Sequence, residues 1–275
     1  MALRFEVGTE YLSPKPTADV ERISIEMTQP LPTLRALATE SSGTEGYLLD
    51  LDGTLISGAA LLPGVRDFLQ NLRQPFVILS NDSEHVPEQI VDIFQKEGIA
   101  LKASQVVLAG VIALEEIARR TPGARVMLLA SPALRDLAAR LGLRLSADRP
   151  EVVVLARDRS FDFDKLTAAA RALRLGAKLV LACPDTTHPS PNGEIVPEVG
   201  ALAAAIFACV GNIEHEVIGK PEPSLFNIGC ERLGMTPAQC LMIGDNLLTD
   251  GVGATRAGIA FRQIDGIGEE IVVAD

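Results

Sequence analysis

The chain has 275 residues, 47% of them hydrophobic, enough apolar side chain for a large core and length for about two domains; with 4% aromatics and no tryptophan, aliphatic residues must fill that core. A formal net charge of -11 excludes the broad basic face that a nucleic acid partner requires. No apolar run approaches the roughly 18 residues needed to cross a bilayer, so no membrane partner is expected.

The first 30 residues lack the charged-then-apolar order of a signal peptide. Pro14, Pro16, Pro30 and Pro32 prevent a long regular element there, and only residues 34–39 read as a short helix. Residues 1–45 are therefore read as an arm on the core, with a homodimer contact or an over-called start codon as the other readings. The four cysteines, at 183, 209, 230 and 240, make no C-x-x-C pair and no zinc spacing. They read as reduced, which suits a cytoplasmic protein.

The first strand, ending at Asp50, runs into Leu51-Asp52-Gly53-Thr54, so two carboxylates lie two residues apart where an apolar run meets a turn. Open α/β sheets collect ligands at the carboxyl ends of their strands, and Gly53 swings Asp52 back toward the same point. One carboxylate can attack a phosphoryl group while the other moves a proton, provided a divalent cation screens the repulsion between anions. Val65, Phe68, Leu69 and Leu72 repeat with helical period, and strand 76–79 then ends at Ser80 and Asn81, a hydroxyl and an amide for phosphate oxygens. Asp82 follows and adds a negative charge. Helices 86–97 and 111–119 flank strand 106–108, and Thr121-Pro122-Gly123 breaks the chain.

Beyond that breaker, strands 126–130, 152–155 and 178–182 alternate with helices 132–141, 163–175 and 199–210. An α/β insertion at this point has to cover the site, because motif residues on both sides must converge on one sheet edge. The loop Cys183 to Gly193 holds three prolines and a glycine, and carries Asp185 and His188. Residues 211–216 read as a return linker, after which Gly219-Lys220-Pro221 follows Val217-Ile218 and supplies a fixed cation. Helix 222–233 ends at Gly234. Leu241-Met242-Ile243-Gly244 then delivers Asp245 and Asp250, carboxylates suited to a hard, oxygen-seeking ion such as magnesium.

These four segments together resemble a haloacid dehalogenase superfamily phosphatase, in the class II capped branch of 4-nitrophenylphosphatase, nucleotide monophosphatase and pyridoxal phosphate phosphatase types. The pattern covers residues 46–263, and the insertion adds Arg157 to Leu166 and Cys183-Pro184-Asp185 with Pro197 and Gly200. One departure is that such enzymes usually have two asparagines after the Ser or Thr of the second motif, whereas the second position here is Asp82. The resemblance implies an α/β fold with a Rossmann-like parallel sheet core at 46–120 and 211–275 and an inserted α/β cap at 121–210.

It further implies a phosphatase that hydrolyses a small phosphorylated metabolite. Asp50 is the expected nucleophile and Asp52 the acid-base group, while Ser80, Asn81 and Lys220 bind phosphate. Magnesium would be held by Asp50, the Asp52 carbonyl and Asp245, with Asp250 behind them. Asp185 and His188 would touch the leaving group. A dehalogenase would need neither Asp52 nor the Asp245 and Asp250 pair, and a non-catalytic binding or regulatory relative would be expected to have lost one of these groups.

Overall fold

The computed structural model of the protein describes residues 44–189 and 194–265. Residues 1–43 of the arm, with the expected helix 34–39, and loop residues 190–193 lie outside this range.

Strands in chain order are β1 (Gly46–Asp50), β2 (Ile56–Ser57), β3 (Ala60–Leu61), β4 (Phe76–Ser80), β5 (Val106–Leu108), β6 (Arg125–Leu129), β7 (Arg144–Leu145), β8 (Val152–Leu155), β9 (Lys178–Leu181), β10 (Thr187–Pro189), β11 (Ile195–Pro197), β12 (His215–Val217), β13 (Cys240–Gly244) and β14 (Ala260–Gln263). One parallel sheet has the order β14-β13-β1-β4-β5, with Leu49 level with both Ile243 and Ile78. All five residues of β1 are buried, as a central strand covered on both faces requires. Helix Ser224–Leu233 packs on β4, β1 and β5 through Leu225, Phe226 and Cys230.

A second parallel sheet has the order β12-β9-β8-β6-β7 and is lined by Val153, Val154, Leu128 and Val180. Helices Phe163–Arg174 and Val199–Val210 pack against each other beside it. Its edge strand β12 runs parallel to β9 across His215 to Val217, and the ladder continues as Ile218 and Gly219 donate to the carbonyls of Leu181 and Ala182. The segment read from sequence as a linker thus ends as an edge strand. The expected cap loop is likewise partly regular, since β10 and β11 pair antiparallel and set His188 opposite Val196.

Candidate active site

The sheet order places β1 between β13 and β4, so Asp50, Ser80 and the residues after Gly244 emerge at one edge. Lys220 reaches the same point from the other sheet, three residues after β12. Asp50 is 5% exposed, Lys220 2% and Asp250 0%. Lys220 Nζ donates to Asp50 Oδ1, to Asp250 Oδ1 at 2.6 Å and to the Leu79 carbonyl at 3.3 Å. All three ammonium protons are thereby used, and Asp50 keeps Oδ2 outside this bond.

Asp250 is brought back by a wide π-type turn, Leu247–Gly251, whose start is capped by Asn246 Oδ1 accepting from the Leu248 and Thr249 N–H groups. Its second oxygen accepts from the Asn246 N–H at 3.2 Å. Asp245 accepts from Thr54 Oγ1 at 3.4 Å. Gly53, at φ +82°, lets Asp245 Oδ2 approach so closely that a Cβ there would overlap it, so the turn demands glycine for both conformation and space.

Asp50, Asp245 and Asp250 each offer an oxygen within 4.8 Å of the others. Burial works against the charge on Lys220, but Asp250 and Asp50 more than offset it and hold its pKa above the ordinary value. Burial, with Asp50 next, pushes Asp245 up to about 6. Burial also raises Asp250, although Lys220 opposes this. These shifts share one origin: three close carboxylates face one ammonium, and the site is short of positive charge. An all-oxygen donor set with that deficit fits a hard divalent cation.

Asp52 opens to solvent through the cleft while protein crowds its other sides. That desolvation, assisted by Asp82 and Asp50 and opposed by Ser80 and Lys220, raises its pKa to about 7. Ser80 Oγ donates to Asp52 Oδ2 at 3.3 Å and accepts from the Asp82 N–H at 2.9 Å. Asn81 spends its side chain inside the protein: Nδ2 donates to Asp185 Oδ2 and the Lys220 carbonyl, both at 2.9 Å, and Oδ1 accepts from the Lys220 N–H at 2.6 Å. Gly219 permits this, because a Cβ there would meet Asn81 Oδ1 at 2.5 Å.

The expected leaving-group residues sit next to this loop. Asp185 is tied to Asn81, and burial raises its pKa. His188 Nδ1 pairs with Glu198 Oε1 at 2.6 Å, and burial together with Arg157 lowers the imidazole pKa. Cys183 is buried and its thiol is pushed well above the usual value by burial, Asp185 and Glu198, so it is held protonated.

Several contacts around the site carry no signal in the sequence, although Arg157 and Asp82 themselves stand out there. Arg157 Nη1 bridges Glu84 Oε2 at 3.1 Å and Glu198 Oε1 at 3.4 Å, and its N–H donates to Ser83 Oγ at 3.1 Å. Asp82 Oδ1 accepts from the Glu84 and His85 N–H groups at 2.8 Å, and Oδ2 pairs with His85 Nδ1 at 2.7 Å.

Known proteins resemble this chain in sequence or in fold. An acid sugar phosphatase from Staphylococcus epidermidis is 30% identical over 219 residues, 78% of this chain and 84% of that protein. The crystal structure of 4-nitrophenylphosphatase from Thermotoga maritima is similar with TM-score 0.75 and 31% identity, covering 80% of this chain and 85% of that one. The glycerol phosphate phosphatase Rv1692 from Mycobacterium tuberculosis, solved in complex with calcium, is similar with TM-score 0.72 and 30% identity, covering 79% of this chain and 65% of that one. Residues 44–258 match the family described as haloacid dehalogenase-like hydrolase, spanning every carboxylate just placed around Lys220, and the chain belongs to that family.

Proposed function

We propose that the protein is a magnesium-dependent phosphatase that hydrolyses a small phosphate monoester through an aspartyl-phosphate on Asp50. The observation that carries this reading is the state of Asp50: Lys220 anchors one oxygen, the other stays outside that bond, and a carboxyl group raised to about 7 lies two residues away at Asp52. A protonated Asp52 can release an alcohol that a carboxylate at ordinary pKa could not.

In the first step Asp50 Oδ2 bonds to phosphorus, the ester P–O bond breaks, and the leaving oxygen takes the Asp52 proton. In the second, water attacks phosphorus and gives a proton to Asp52, the Asp50–phosphorus bond breaks, and inorganic phosphate leaves. Ser80 and Lys220 face the charge spread over the phosphoryl oxygens, and Asn81 keeps Lys220 in register through its backbone. Magnesium would be held by Asp50, the Asp52 carbonyl and Asp245, and would neutralise phosphoryl charge; Asp250 is spent on Lys220 and Asn246 and acts from behind. The calcium in the related glycerol phosphate phosphatase, an ion with the same oxygen preference, supports a hard cation.

Residues 121–210 are the cap in this reading, with Asp185 and His188 facing the leaving group, and the free cysteines fit a reducing cytoplasm. A panel of phosphate esters assayed with magnesium and with EDTA tests it. Magnesium-dependent release of phosphate from at least one ester is expected, and release that ignores both magnesium and EDTA would overturn it.

A further inference from the structure

Strand β14 ends where the turn that carries Asp250 begins. Phe261 and Gln263, two residues apart, share one face of that strand. Phe261 packs beneath the turn, since a Cβ on Gly251 would meet its ring at 3.0 Å. Gln263 brings an amide to a place where an apolar side chain would continue the packing. It is level with Gly244 of β13, and the ladder between the two strands closes with the Ile264 N–H donating to the Gly244 carbonyl at 3.0 Å. The next carbonyl, that of Asp245, lies beyond the ladder, and Gln263 Nε2 donates to it at 2.9 Å.

That one bond orients a whole peptide. A trans peptide sets its C=O and N–H in opposite directions. With the Asp245 carbonyl drawn toward Gln263, the Asn246 N–H faces the other way and donates to Asp250 Oδ2 at 3.2 Å. Asp250, held through Oδ2, turns Oδ1 to Lys220 Nζ at 2.6 Å, and the same ammonium donates to Asp50 Oδ1. Gly244 makes room for this arrangement, because a Cβ there would overlap Asp250 Oδ2. Asp245 itself is held at two points, its backbone by Gln263 and its Oδ1 by Thr54 Oγ1 at 3.4 Å. A carboxylate fixed in this way costs less to order when an ion binds.

We propose that Gln263 is a positioning residue that sets Asp245 for the divalent cation and, through the same peptide, sets Asp250 for Lys220, a role that rests on the phosphatase reading of Asp245 as a magnesium ligand. Gln263 touches neither substrate nor ion in this role. It acts by deciding which way the Asp245–Asn246 peptide faces.

The test is calorimetric titration of the purified full chain with magnesium alone, wild type against Gln263→Met, which keeps the length of the side chain and removes the donor. Binding should be about tenfold weaker in the variant, the usual loss when a group that orients a metal ligand is removed. The magnesium concentration for half-maximal hydrolysis of 4-nitrophenyl phosphate should rise by the same factor. In metal-free protein the Asn246 N–H should exchange with deuterium faster than in the wild type. A merely structural role would instead appear in Tm, which without metal should fall by no more than about 4 °C, one hydrogen bond's worth in a protein of this size. Gln263→Ala, a second way of removing the donor, should repeat these results. Wild-type magnesium affinity in either variant, Asn246 exchange at the wild-type rate, or weaker binding accompanied by a much larger fall in metal-free Tm would overturn the proposal and leave the phosphatase reading intact. A wild type that binds no magnesium would overturn that reading and the proposal with it.

Discussion

Lys220 is the residue on which the buried charges depend. It is the ammonium that both Asp50 and Asp250 contact, and burying two carboxylates without it leaves uncompensated charge. Lys220→Met should therefore lose about 3–5 kcal/mol of stability by chemical denaturation, as is usual when one partner of a buried ion pair is removed. In the proposed mechanism Asp52 acts differently, through its proton. Asp52→Asn should fold normally and retain a residue of activity, with kcat lower by about 10² to 10⁴. Because burial holds Asp52 near 7, it is protonated below that pH and loses the proton above it, so the wild-type rate should fall as pH rises past about 7. A bound divalent cation nearby pulls this limb to lower pH and never to higher. A pH–rate profile checks it, and Asp52→Asn should lack the limb.

At the scale of elements, the turn before helix Phe163–Arg174 gives a stability prediction with a definite sign. Burial pushes the Asp158 carboxyl up, but Lys165 Nζ at 2.7 Å and the hydroxyl and N–H of Ser160 outweigh it and set the pKa below the usual value. A depressed folded pKa means stability present above the unfolded value, about 3.9, and lost as pH falls through the folded one. Asp158→Asn should thus lower Tm at pH 7, with the difference from wild type shrinking below pH 4; a constant difference would contradict the ion-pair account. The long elements were legible because buried strands such as Phe76–Ser80 and helices such as Phe163–Arg174 carry their apolar periods in the residues themselves. Strand β12 was not: His215 and Glu216 are exposed at a sheet edge, where backbone pairing with β9 suffices and no apolar run is needed. The hairpins β2–β3 and β10–β11 are two or three residues per strand, too short for any period to show. In the site, Asp50, Ser80 and Asp245 were legible because each ends an apolar run. Glu198 and the partners of Arg157 were not, since only the folding of two sheets against one loop brings these residues to Glu84 and His188.

At the scale of the whole molecule, contacts between the two halves of the chain converge on the loop that follows Ser80. Asn81 holds Asp185, Ser83 holds Arg157, and Glu84 holds both Arg157 and, through its carbonyl, Ser131 Oγ at 2.5 Å. If residues 121–210 close over the substrate and open to release product, these bonds define the closed state. Rotation should occur about residues 121–123 and 211–214, close to the exposed Arg120–Glu216 pair at 2.7 Å that links their flanks. Crystal structures with and without a phosphate analogue should differ by such a rotation, and an identical cap angle in both would contradict it. The proposed phosphoryl transfer rests on Asp50 as nucleophile, and the most direct measurement is phosphate release from 4-nitrophenyl phosphate by purified Asp50→Asn protein with magnesium. An amide is a very poor nucleophile, so no turnover above background is expected from a folded variant; hydrolysis at the wild-type rate would contradict the mechanism.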